Sequence, residues 1–126
     1  MKALTPNLFV QDLPATIAWY RNLGFEVVNR VPEEGDDLVW AMLTNGGVSL
    51  MLQTFASLGS ELPAISREDG GSLLLYVEVE DIQALHDQVA GKVEVIKPLE
   101  TTFYGATEFT VLDPNRYVLT FAEMSR

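Results

Sequence analysis

One pattern of roughly fifty residues occurs twice in this chain, and that repetition constrains the fold more than any other feature. LFVQD at 8–12 returns 69 residues later as VEVED at 77–81. Each piece alternates as a half-buried strand does, then ends on an aspartate able to cap a helix. After Asp12, the residues Ile17, Tyr20 and Leu23 fall on one helical face, and Gly24 stops the run. After Asp81, Ile82, Leu85 and Val89 do the same as far as Gly91. Pro14 sits in the first turn, where its missing donor does no harm. Three extended segments follow each helix, at 25–31, 38–44 and 48–53, then at 93–97, 107–112 and 117–122. Asn45–Gly46–Gly47 and Asp113–Pro114–Asn115–Arg116 are matching turns, and the offset carries Met51 onto Thr120. The expected fold is α+β, with two tandem βαβββ modules at about 4–53 and 72–123 joined by a linker at 54–71. Neither half alone is large enough to be stable, so one domain over 1–126 is expected.

Composition narrows the function. Eight basic residues against 18 acidic ones give a net charge of −10, and the basic residues form no stripe. Nucleic acid, a polyanion held by lysine and arginine, is therefore excluded as a partner. There is no cysteine, which removes disulfides, thiol catalysis and cysteine-based metal sites. No apolar run reaches the roughly 18 residues of a membrane helix, and the N-terminus lacks a signal-peptide core. A cytoplasmic protein with no membrane partner is expected.

Strand alternation sorts the side chains. Leu8, Val10, Val77 and Val79 should pack beneath the helices. The opposite set holds Asn7, Phe9, Ser49, Met51 and Gln53 in the first half, and Leu74, Tyr76, Glu78, Val118 and Thr120 in the second. That face mixes large, aromatic and polar groups, which suits a ligand pocket or a subunit interface. Glu108 joins it only if the turn after Asp113 is a three-residue loop that sets Thr110 opposite Thr120; a two-residue loop turns Glu108 away.

TPNLFVQD at 5–12, AWYRNLGFEV at 18–27 and YGATEFTVLDPNRYVLTFAE at 104–123 together resemble the glyoxalase/bleomycin-resistance/dioxygenase (vicinal oxygen chelate) superfamily. The resemblance implies paired βαβββ modules forming a cupped sheet around a pocket, commonly in homodimers. Metal-using members hold a divalent ion with histidine and glutamate, and the matching positions here are Thr5, Met51, Leu74 and Thr120. These are poor donors for such an ion. The sole histidine, His86, should lie at the rim of the second helix's buried stripe. No metal and no cofactor are expected.

The opening TPNL resembles in particular the metal-free branch, which sequesters antibiotics such as bleomycin. This implies a metal-independent small-molecule-binding protein with a cationic or aromatic ligand. The ligand-binding residues expected are Asn7, Phe9, Met51, Tyr76, Glu78, Tyr104, Glu108 and Thr120, with no catalytic residue. Trp19, Trp40 and Phe103 are further aromatic surfaces, although packing should claim most of them. Glu33, Glu34, Asp36 and Asp37 read as a solvated hairpin tip, and Arg67 or Glu68 as a polar contact from a covering loop. The alternatives are a metal-dependent lyase, isomerase or oxygenase with an unconventional site, and a module whose mixed face is covered by another protein.

Overall fold

A computed structural model describes residues 1–125. The chain divides into a compact unit over Met1–Asp69 and a second that begins at Gly70.

In the first unit, β1 (Asn7–Val10) leads into α1 (Leu13–Arg21), followed by β2 (Glu26–Val31), β3 (Trp40–Asn45) and β4 (Val48–Thr54). The sheet order is β1-β4-β3-β2, with β1 parallel to β4 and the other pairs antiparallel. A short helix α2 (Phe55–Leu58) follows, capped by the Thr54 hydroxyl. In the second unit β5 (Leu74–Glu78), α3 (Ile82–Val89), β6 (Glu94–Thr101), β7 (Ala106–Leu112) and β8 (Val118–Met124) repeat the plan in the order β5-β8-β7-β6. Two βαβββ modules in tandem are thus what the chain folds into.

The repeat holds down to single hydrogen bonds. Asp12 accepts from the Ala15 amide at 3.1 Å, and Asp81 accepts from the Ala84 amide at 3.1 Å. Each carboxylate satisfies an amide that the first helical turn leaves without a partner. Asn7 stands beside Met51 and Tyr76 beside Thr120, so the parallel pairing keeps the 69-residue offset. Leu8, Val10, Ile17, Tyr20 and Leu23 are buried, as are Ile82 and Val89, while Leu85 is half-buried.

The loops of the β3–β4 and β7–β8 hairpins differ by one residue. Asn45 pairs with Val48 across Gly46 and Gly47, whereas the Asp113 amide donates to the Tyr117 carbonyl across Pro114, Asn115 and Arg116. The second loop therefore has three residues, and Thr110 stands opposite Thr120. Gly46 takes the positive φ in the first loop, and Arg116 (φ 67°) takes it in the second. The buried Asp113 carboxylate holds this longer loop, accepting from the amides of Asn115 (2.7 Å) and Tyr117 (2.9 Å).

Both outer strands are bulged. On β2 the pairing advances from Val27↔Leu43 to Asn29↔Met42, so Val28 is an extra residue. On β6 it advances from Val95↔Val111 to Lys97↔Thr110, with a second irregularity before Glu100↔Glu108. A bulge turns the residues after it to the other face. β6 also runs to Thr101, beyond the end at 97 expected from the sequence. Pro98 falls between the bulged pairs on this outer strand, where its missing donor costs no ladder bond.

Candidate functional site

Glu108 is the centre of the most organised polar group on either sheet. β7 places it opposite Ala122, the third pair from the open end of the β7–β8 ladder, and it is only 9% exposed. Its side chain shares a face with Thr110 and Thr120, whose hydroxyls are 2.8 Å apart. Tyr76 reaches it from β5, and Tyr104 reaches it from the β6–β7 turn, four residues upstream. That turn closes where the Thr102 amide donates to the Ala106 carbonyl and the Thr102 hydroxyl accepts from the Ala106 amide. Both phenol hydroxyls donate to the same oxygen, Oε2, at 2.5 Å each.

This geometry fixes the charge of the group. The Tyr104 hydrogen bond is the main force holding the Glu108 carboxyl below its usual range; the Tyr76 bond adds to it, burial opposes it, and Lys97 contributes attraction. The β6 bulge is what turns Lys97 onto this face, beside Thr110. Both phenols are pushed the other way, above their usual range, chiefly by donating to Glu108. At neutral pH the cluster is therefore one carboxylate and two neutral phenols. Among the described residues, Oε1 of Glu108 has no protein donor. The two tyrosine rings are about half exposed, and Phe103, edge-on to Tyr104 at 5.1 Å, is fully exposed. The arrangement offers a fixed negative charge among aromatic rings, able to accept a hydrogen bond and to face a cation.

Of the residues expected from sequence, Tyr76, Tyr104, Glu108 and Thr120 come together on the second sheet. Glu78 shares their face in the row Glu78–Ala122–Glu108, two strands or about 10 Å from Glu108, and makes no hydrogen bond to the cluster. Asn7, Phe9 and Met51 lie on the first sheet. There the Asn7 amide donates to Gln53 at 2.9 Å, Phe9 is buried with its ring 6.2 Å from Phe55, and Met51 pairs with Met42. Trp19 packs edge-on to Tyr20 at 4.8 Å. Arg67 does not reach out to a ligand. Its guanidinium donates to the carbonyls of Gly59, Glu61, Leu62 and Ile65 and ties its own loop together. His86 lies half-buried against Phe109, ring centroids 5.1 Å apart. Lys97 was missed because a bulge is not written in strand alternation.

The metal positions do not fit a divalent ion. Met51 offers a thioether, Leu74 an exposed hydrocarbon, and the Thr120 hydroxyl is already bonded to Thr110. Among the described residues, no group of three or more histidines, cysteines or carboxylates is placed to hold a metal. No described helix is long and apolar enough to cross a membrane.

Residues 3–121 match the sequence pattern of the Glyoxalase/Bleomycin resistance protein/Dioxygenase superfamily. The chain belongs to that superfamily. Solved structures share this superfamily chain's fold. TioX from Micromonospora sp. ML1 is 21% identical with a TM-score of 0.79, over 99% of this chain and 100% of that one. A bleomycin-binding protein complexed with bleomycin is 22% identical with a TM-score of 0.67, over 99% and 100%. A bleomycin resistance determinant encoded on the transposon Tn5 is 21% identical with a TM-score of 0.69, over 100% of both chains. No curated protein matches the chain in sequence.

Proposed function

We propose that this superfamily member captures a small cationic molecule with an aromatic body, without a metal ion and without turning it over. The observation that carries this reading is the Tyr76–Glu108–Tyr104 cluster, a carboxylate kept ionised by two phenol donors and flanked by exposed rings. A cation would meet Oε1 of Glu108 while its aromatic part lies against Tyr76, Tyr104 or Phe103. Glu78 extends the negative potential along the same face, and the chain's net charge of −10 favours approach of a cation. Thr120, whose hydroxyl is bonded to that of Thr110, adds a polar group to the same face of this sheet. Action as a cytoplasmic homodimer is part of this proposal and rests on the resemblance to the antibiotic-sequestering branch. The bleomycin complex of a protein with the same fold makes bleomycin the first probe.

The test is calorimetric titration of metal-stripped protein with metal-free bleomycin, in chelator. Saturable binding, with the drug recovered unchanged and affinity reduced about tenfold or more in Glu108→Gln, is the expected result. Binding that requires added divalent metal, or is unchanged in Glu108→Gln, would overturn the reading.

A further inference from the structure

The first unit carries a cavity whose chemistry differs from that of the Glu108 cluster. It measures about 370 Å³ and is lined by Pro14, Ile17 and Arg21 of α1, by Val27 and Arg30 of β2, and by the hairpin tip at Gly35, Asp36 and Leu38. That volume is in the range that holds a small molecule. It lies on the helix-bearing face of the sheet, because Arg30 ends the row Leu8–Leu52–Ala41–Arg30. The face with Asn7 and Met51 is the opposite one.

The β2 bulge builds this cavity. Val27 and Arg30 are three residues apart and would point to opposite faces of a regular strand; with Val28 inserted they share one face. Arg30 is then fixed, donating from Nε to the Pro32 carbonyl at 2.9 Å and from Nη2 to the Gly35 carbonyl. These bonds hold the tip that carries Asp36 and leave Nη1 without a protein acceptor among the described residues. Arg21 and Asp36, on the rim, have no ion-pair partner among the described residues, and both are exposed. The rim thus presents unspent charges of both signs above an apolar floor of Pro14, Ile17, Val27 and Leu38. A simple anion would be repelled by Asp36 and by Glu33, Glu34 and Asp37 in the same tip, and a simple cation by Arg21 and Arg30. A molecule carrying both charges satisfies both sides.

We propose that this cavity binds a small zwitterion with an apolar side group, of the α-amino-acid class. The carboxylate faces Arg21 and Nη1 of Arg30, the ammonium faces Asp36, and the apolar group rests on Ile17, Val27 and Leu38. The site is independent of Glu108, which lies in the other unit.

The experiment is an amide-resonance titration of the whole chain with L-phenylalanine, N-acetyl-L-phenylalanine and L-phenylalaninamide, repeated on Arg21→Gln and Asp36→Asn. Both substitutions are at exposed positions that hold no other residue in place. L-phenylalanine should give saturable shifts at Ile17, Val27 and Leu38. Each blocked derivative, and each variant with L-phenylalanine, should bind about tenfold more weakly or worse. The proposal is overturned if L-phenylalanine gives no saturable shift, if either blocked derivative binds equally well, or if either variant is unaffected.

Discussion

The two modules share a skeleton and differ in what they place on it. Asn7–Met51–Met42 in the first sheet and Tyr76–Thr120–Thr110 in the second are equivalent rows, reached by equivalent pairings. The first row carries an amide and two thioethers. The second carries a phenol and two hydroxyls, with an ionised carboxylate beside it. Duplicated backbone therefore supplies position, and chemistry comes from substitutions at fixed register. The bulges make the same point from the outer strands. At corresponding places on β2 and β6, one directs Arg30 to the helix-bearing face and the other directs Lys97 to the face of Glu108.

The hairpins should separate the modules most strongly. Asp113→Ala strands two buried amides and should cost about 3 kcal/mol. Asn45→Ala, at the matching place, loses one side-chain bond to the Leu23 carbonyl and should cost about 1 kcal/mol. Urea denaturation measures both, and equal costs would break the contrast. The helix caps should instead behave alike. Asp12→Ala and Asp81→Ala should each lose about 1 kcal/mol and agree within a few tenths. A large difference between them would show that the repeat is not mechanically equivalent.

Acid should act on the second module's face in particular. The folded Glu108 carboxyl titrates below its unfolded value, so its stabilisation is present above the usual glutamate range and is lost as pH falls through the lowered folded value. The raised phenols act oppositely: their contribution is present below pH about 10 and is lost as pH rises through the folded values. Thermal melts of Glu108→Gln between pH 3 and 7 should therefore show a flatter acid limb than the native protein. An unchanged limb would mean that the cluster does not form. The smallest expected effect is at Arg116, whose positive φ suits glycine. Arg116→Gly should stabilise by about 0.5 kcal/mol, relief of strain being partly offset by the freer unfolded chain.

Much of this was legible in the sequence, because caps, helix faces and strand parity all repeat at one offset. Asp12 and Asp81 announce their helices, and alternation places Tyr76 and Thr120 on one face. Glu108 was not settled, since its facing depends on a loop length that Asp113–Pro114–Asn115–Arg116 leaves open. The buried Asp113 carboxylate decides it by binding the amides of Asn115 and Tyr117. Arg30 and Lys97 were not legible, because a bulge breaks the period from which facing is inferred. Arg67 looked available as a polar contact, and only the fold shows its donors spent on four carbonyls of its own loop.

The central claim is that Glu108 gives the second module a preference for cations. The most direct measurement compares benzamidine with benzamide, which have nearly the same shape and differ in charge, by resonance titration of native protein and Glu108→Gln at pH 7. The account predicts that the native protein prefers benzamidine by about tenfold or more and that the substitution removes the preference. Equal affinity for both compounds, or a preference that survives Glu108→Gln, would contradict it.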